Sequence, residues 1–372
     1  VLIGFTTAII ASIAARPLGP WAGAAVGIVF AAAWGVQGLA VFDFHEVAFA
    51  LPFLALSYGA LVRRHERAAV LWALPLMLVK EDSVFLLLGI VLVLLWRRRW
   101  RLAAALAVFA VASFAFIVGV FIPAVSYYGR YTYWSSSAAA KGDMVATAWS
   151  ALTTSMMSGA APLLLLVLLL PTLGVALRSP LLLGVLPPLA ARLTAPHAEY
   201  WGLDLHYNGA VMVVIMLAFV DGLRGLRPSS VPKVLTAAVA VTVVLATAGP
   251  VARLVTALSR PCEPVDRCAS VVIPKVLGHV PDGARVAAAD YAAAYLVDRT
   301  QVFGLHEDIR DSAGGQIYPE YVVLDRIHDD GWQNAWVNAV GPTQIDHRFM
   351  GEALNLVTPN PYDIAVFAVR YP

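Results

Sequence analysis

The sequence predicts a mainly α protein: a polytopic transmembrane bundle of about ten helices, followed by a small C-terminal extracytoplasmic α/β domain. Three observations predict it. The 372 residues are 60% hydrophobic and only 13% charged, whereas soluble domains are about a quarter charged. Apolar runs of roughly bilayer length recur through residues 1–250, punctuated by short polar clusters. The net charge of +2 conceals a split at Glu263, with +9 before it and −7 from there on. A basic membrane part joined to an acidic soluble part accounts for that split, and the acidic portion argues against a nucleic-acid partner.

The spans follow from length and from the preference of Lys and Arg for the cytoplasmic side. Val1 to Ala15 ends at Arg16, Trp21 to Ala40 at Phe42-Asp43-Phe44-His45-Glu46, and Val47 to Val62 at Arg63-Arg64-His65-Glu66-Arg67. Ala68 to Val79 leads to Lys80-Glu81-Asp82, and Ser83 to Trp96 to the most basic cluster, Arg97-Arg98-Arg99-Trp100-Arg101. Leu102 to Ile122 crosses outward, Pro162 to Leu177 returns to Arg178, and Leu181 to Leu193 crosses out to Pro196-His197-Ala198-Glu199-Tyr200. Tyr207 to Val220 goes in towards Arg224, Arg227 and Lys233, and Val234 to Gly249 comes out. This path places every major basic cluster in the cytoplasm and everything after Cys262 outside, in a bacterial plasma membrane. Arg97 to Arg101 is then a determinant of topology and a headgroup contact, with no further role required.

Two spans are short. Ala68 to Val79 and Ser83 to Trp96 would rise only about 18 to 21 Å, which draws the turn between them below the outer surface. Charged groups at such depth are costly unless paired or facing a water-filled cavity, so Lys80, Glu81 and Asp82 are functional candidates. The plain alternative is a Lys80-carboxylate pair that locks a helical hairpin.

Residues 123–161, rich in Tyr and Trp with a helical Met144 to Met157, suit the headgroup zone. They read either as a lid over a lipid-linked substrate or as an interfacial anchor. Residues 251–268 form a linker whose Cys262 and Cys268 are expected to pair as a disulfide in an oxidising compartment. In 269–372, Val271 to His279 reads as a helix, Arg285 to Ala289 as a strand, Tyr291 to Val297 as a helix, and Gln301 to Leu305 and Tyr321 to Asp325 as strands, with a late strand at Asp363 to Arg370. That order implies a partly parallel sheet. No Gly-x-Gly-x-x-Gly follows a strand, so nucleotide binding has no support.

Chemistry is carried by position. Asp43, His45 and Glu46; Lys80, Glu81 and Asp82; and His197, Glu199, Asp204, His206 and Tyr207 all fall at one face of an apolar bundle. Together they could hold a divalent cation, act as a base towards a hydroxyl, bind a sugar or form an ion pathway. Taken singly, each His is more often a structural hydrogen-bonder. No serine-hydrolase, zincin, Walker or Cys-x-x-Cys motif is present.

Phe42-Asp43-Phe44-His45-Glu46, Lys80-Glu81-Asp82 between short spans, the Arg-rich turn after them and Leu205-His206-Tyr207 resemble the bacterial membrane proteins grouped as domain of unknown function 2079. Val280-Pro281-Asp282-Gly283-Ala284-Arg285-Val286 and Tyr321-Val322-Val323-Leu324-Asp325 resemble that family's terminal extracytoplasmic domain. Such proteins are similar to GT-C glycosyltransferases, which take a sugar from a polyprenyl-phosphate donor at the outer face. The resemblance implies a membrane-lipid partner and an envelope glycan or protein acceptor. The essential acidic residue of those enzymes lies on the loop after the first helix. Here the chain begins within a span, at Val rather than Met, so a trimmed start or a longer parent is expected and that residue is assigned to no position. On the residues present, Glu81 and Asp82 are the catalytic candidates, while Asp43, His45, Glu46, Lys80, His197, Glu199, His206 and Tyr207 line the substrate site. A transporter or lipid flippase, or a non-catalytic envelope assembly protein, are the alternatives.

Overall fold

The computed structural model describes residues 1–42, 45–126, 129–131, 144–195, 198–203, 205–259, 277–288, 290–304, 318–325, 345–346 and 364–369. They form two compact units, Val1–Val125 with Arg130–Ser259, and Arg260–Pro372 with Ser126–Gly129. The protein is mainly helical, with one small sheet.

The first unit begins with α1 (Leu2–Leu18), α2 (Pro20–Ala32), α3 (Trp34–Val41) and, after a 3₁₀ turn at Glu46–Phe49, α4 (Ala50–Val62). Next come α5 (Glu66–Ala73), a 3₁₀ segment at Leu74–Leu78, α6 (Ser83–Trp96), α7 (Trp100–Phe116) and, through a π turn at Ile117–Phe121, α8 (Ile122–Val125). Then follow α9 (Met144–Met157), α10 (Ala160–Leu169), α11 (Leu186–Leu193), α12 (Asn208–Leu223), α13 (Val231–Thr247) and α14 (Pro250–Ser259). Every residue of α12 except Asp221 is buried. A helix apolar all round belongs in the centre of a bundle, and α12 packs there against α3, α4 and the 3₁₀ segments Val175–Arg178 and Pro180–Val185.

Among the described residues, two helices suffice by length and composition to cross a membrane, Trp100–Val125 and Pro228–Thr247, or up to four if each of two bent pairs counts as one span. Leu2–Leu18, Glu46–Val62, Ser83–Trp96, Pro180–Leu193 and Asn208–Leu223 are apolar but shorter, at 10–17 residues.

Several predicted spans are interrupted, among them Ala68 to Val79, where α5 ends at Ala73 and a 3₁₀ segment begins at Leu74. Trp21 to Ala40 breaks at the extended Ala33, where α2 and α3 meet at 53°. The break persists because the Gln37 amide donates to the freed Ala32 carbonyl at 2.6 Å while its oxygen accepts from Val251 N–H at 3.2 Å. Pro162 to Leu177 is helical only to Leu169; Pro171 supplies no N–H, and Leu173 and Gly174 turn left-handed at φ 51° and 73°. Leu181 to Leu193 starts as a 3₁₀ turn, since Pro187 and Pro188 supply no N–H at the start of α11. Met144 to Met157, expected as a helix, is one; together with Ala160–Thr172, from which it is bent by 68° at the left-handed Gly159, it is also long and apolar enough for a broken membrane span.

Helices approach closely through glycine, as expected where apolar surroundings give little hydrophobic drive for association. A Cβ at Gly23 would lie 2.7 Å from Ala11 O on α1, and one at Gly89 would strike the Gly184 backbone. At Gly184 a Cβ would strike the fully buried Tyr58 ring.

The second unit holds a five-stranded sheet of order β2-β1-β3-β5-β4, from β1 (Arg285–Ala288), β2 (Gln301–Gly304), β3 (Tyr321–Asp325), β4 (Ile345–Asp346) and β5 (Ile364–Val369). β1 pairs parallel with β2 and β3, and β5 runs antiparallel to β3 and β4. The partly parallel sheet agrees with the strand order read from sequence. The helix expected over Tyr291 to Val297 is confined to Asp290–Ala293, giving way to turns. Its small core gathers Leu277, Val286, Ala288, Leu296 and Val323. Cys262 and Cys268 lie outside the described residues.

Gly184→Val is expected to cost about 1–3 kcal/mol of stability by overpacking and to lower the melting temperature in detergent. Gly4, whose Cβ would meet nothing within 4 Å, is the control: Gly4→Ala should leave that temperature unchanged or slightly raised.

Candidate functional site

α4, α6 and α12 each start from one polar end of the bundle. His45 caps the 3₁₀ turn that leads into α4, Lys80-Glu81-Asp82 precedes α6, and His206-Tyr207 precedes α12. α11 brings Arg192 to the same end, where it contacts Tyr207.

The fold joins these segments. Glu46 Oε1 lies 3.0 Å from Lys80 Nζ, and Glu46 Oε2 lies 3.2 Å from His45 Nδ1. That imidazole stacks on His206, with ring centroids 3.6 Å apart and planes 23° from parallel. Phe42 and Tyr207 flank His206 at 4.6 and 4.1 Å. Glu81 Oε1 accepts a hydrogen bond from Tyr131 Oη at 2.9 Å. His206 is only 4% exposed, and neither ring nitrogen has a hydrogen-bond partner among the described residues. Its neighbour Leu205 holds a positive φ of 32°, the kind of backbone strain that concentrates at functional sites.

Burial, the His45 ring and the Lys80 ammonium push the pKa of His206 down to about 3, and burial is also the main cause that lowers His45. Both rings are therefore neutral at pH 7, which allows them to stack at 3.6 Å.

Arg192 was not distinguished in the sequence from other span-end basic residues. Its guanidinium donates to Tyr200 O at 3.0 Å, Asn208 Oδ1 at 2.8 Å, and Tyr207 O and Gly202 O at 3.4 Å each. It also lies 5.5 Å over the Tyr207 ring. Asn208 in turn donates to Gly202 O and Leu203 O, and α3 comes close because Gly35 offers no Cβ against Asn208. One planar, fixed fork of donors thus folds the chain before α12 and presents His206.

Of the sequence candidates, His45, Glu46, Lys80, His206 and Tyr207 are brought together, and Glu81 is engaged by Tyr131. Asp82 occupies the N-cap position of α6 without a capping bond and is exposed. Glu199 is exposed on the 3₁₀ turn Ala198–Trp201. Asp43, His197 and Asp204 lie outside the described residues. No three His, Cys, Asp or Glu side chains gather to hold a metal among the described residues, and Glu46 is engaged by Lys80. Among the described residues this cluster offers no divalent-cation site.

Apolar helices that collect their charges at their ends define a multi-pass membrane protein. The family model described as predicted membrane protein, domain of unknown function 2079, matches residues 1–342. The chain belongs to that family. No match was found among curated proteins or among solved structures.

Two measurements check the site's architecture. Arg192→Ala leaves several carbonyls and Asn208 Oδ1 short of a donor and should destabilise by about 3 kcal/mol, read as a lower melting temperature. The depressed His206 pKa means that the unfolded chain takes up a proton near pH 6.5 while the folded one resists. Its stabilising contribution is therefore complete above that pH and is lost as pH falls towards 3. His206→Phe, which keeps a ring in the stack, should flatten the dependence of melting temperature on pH below 6.5.

Proposed function

We propose that this protein is a GT-C-like transferase moving a sugar from a polyprenyl-phosphate donor to an envelope glycan or protein acceptor at the outer face of the bacterial plasma membrane. The observation that carries the reading is the meeting of sequence-distant groups at one end of an apolar bundle: Glu46 with Lys80, and His45 with His206. A polar site at the end of a helical bundle can receive a phosphate and sugar head while the prenyl tail stays in lipid. In this reading the two long helices, the two bent pairs, the five shorter apolar helices and Glu66–Leu78 make ten crossings. The basic turns after α4 and α6 are cytoplasmic, and the α/β domain is extracytoplasmic.

In the transfer, the acceptor hydroxyl oxygen bonds to the anomeric carbon and the bond from that carbon to phosphate oxygen breaks. Polyprenyl phosphate leaves with the electron pair. Glu81, or Asp82 beside it, takes the hydroxyl proton, and Lys80 faces the charge that develops on the leaving phosphate. His45, Glu46, His206 and Tyr207 line the sugar.

The two bent helix pairs favour a second reading as a lipid flippase, since discontinuous helices are a device of transporters. One preparation separates the two. Purified protein given labelled polyprenyl-phosphate sugars and acceptor should transfer sugar, and Glu81→Gln should fall about 100-fold or more. Transfer unchanged by that substitution dismisses the site, whereas lipid translocation in proteoliposomes without transfer establishes the second reading. For orientation, a cysteine at Arg98 should resist labelling from outside intact cells and one at Asp298 should label. The reverse pattern overturns the topology.

A further inference from the structure

The basic turns do more than mark a compartment. α4 and α6 end in the same way: Arg64 N–H bonds Leu61 O and His65 N–H bonds Ala60 O, while Arg98 N–H bonds Leu95 O and Arg99 N–H bonds Leu94 O. This is the Schellman arrangement, with arginine at the left-handed position usually held by glycine, at φ 64° and 57°. The two turns share the spacing Arg-Arg-x-x-Arg-x-Ala, at 63, 64, 67 and 69 and again at 97, 98, 101 and 103, and both alanines are fully buried.

Between them sits a guanidinium that a surface determinant would not need to bury. The Arg97 side chain is 4% exposed; its Nη1 donates to Leu61 O at 2.8 Å and lies 3.7 Å from Glu66 Oε1. Arg99 Nε also lies 3.7 Å from that oxygen. Arg224 donates to Val62 O at 2.7 Å and lies 3.6 Å from Asp221, whose other oxygen accepts from Ser179. The two carboxylates at this end are therefore engaged, yet Nε and Nη2 of Arg97 and Nε of Arg63 are buried without a hydrogen bond among the described residues. The charge of Arg64 bears on Arg97 as well. Buried guanidinium N–H groups in excess of carboxylate call for an oxyanion, and planar forks of donors match phosphate.

We propose that Arg97 and Arg63, with Arg64 adding charge, form a phosphate-binding site at the basic end of α4 and α6, and that the phosphate is the headgroup of an anionic phospholipid. Basic pockets between membrane helices are suited to such headgroups. The site stands about 20 Å from the Glu46-Lys80 pair along α4 and is independent of the transferase reading.

The test compares purified protein in nanodiscs of phosphatidylcholine alone and of phosphatidylcholine with phosphatidylglycerol, by native mass spectrometry and melting, with inorganic phosphate in detergent as a separate arm. Wild type should retain one phosphatidylglycerol and melt higher with it. Arg97→Gln and Arg63→Gln should weaken retention about tenfold or more. Because Arg97 also holds Leu61, Arg64→Gly is the second variant, removing a charge while keeping the left-handed turn; it too should weaken retention. Arg67→Gln and Arg101→Gln, at exposed neighbouring positions, should retain the lipid as wild type does. A shift with inorganic phosphate but no retained lipid keeps the oxyanion site and assigns it to free phosphate. Wild type indifferent to both, or Arg67→Gln and Arg101→Gln losing lipid as fully as Arg97→Gln, overturns the site.

Discussion

The constraint on which the helical unit depends is that its polar side chains have two places to go. α4, α6 and α12 run about 20–24 Å between a cluster of carboxylates, imidazoles and Lys80 and a cluster dominated by arginine. In between, most side chains are apolar or small; Ser57 donates to Ala69 O, while the buried Tyr58 hydroxyl has no hydrogen-bond partner among the described residues. An unpaired charge in the middle would cost several kcal/mol, so the ends absorb what the helices cannot. The glycine contacts follow from the same condition. With little hydrophobic drive in lipid, helices gain by close packing, and Gly23, Gly89 and Gly184 allow it.

The cluster of carboxylates, imidazoles and Lys80 shows how a site can be assembled on such a frame. Each helix contributes only the residues that precede its first turn, and one guanidinium, Arg192, fixes the irregular chain that joins α11 to α12. His206 is thereby held against His45 although the two are distant in sequence. Lys80 and Glu46 approach from different turns and settle each other's charge.

Much of this was legible in the residues. Alternating basic and acidic punctuation gave the helix ends, and because α4, α6 and α12 begin at one end, the clusters at 42–46, 80–82 and 206–207 could be expected to meet. The strands at Arg285, Gln301 and Tyr321 were readable as short apolar runs, the first of them following the Pro281-Asp282-Gly283 turn. The rest depended on contacts that no local pattern encodes. Ala33 is an ordinary helix former, and α2 and α3 part there because the Gln37 amide donates to the freed Ala32 carbonyl while its oxygen is held by the distant Val251 N–H. Arg192 looks like any basic residue ending a span until the carbonyls around it are known. Arg97 read as part of a run that sets topology and meets headgroups, yet its side chain is buried against the end of α4. Glu199 shared a segment with the candidate histidines, but its turn leaves it in the open.

The two arginines on the carbonyl end of α4 carry a consequence for the order of biosynthesis. Arg97 lies 36 residues beyond Leu61, whereas Arg224 lies 162 residues beyond Val62. A chain made from its N-terminus therefore acquires the first partner soon after α4 and the second only when the central helix α12 has been synthesised. Until then Val62 O must find water or lipid headgroups, and the α4–α6 hairpin stands as an early, separately satisfied unit around which the later helices assemble.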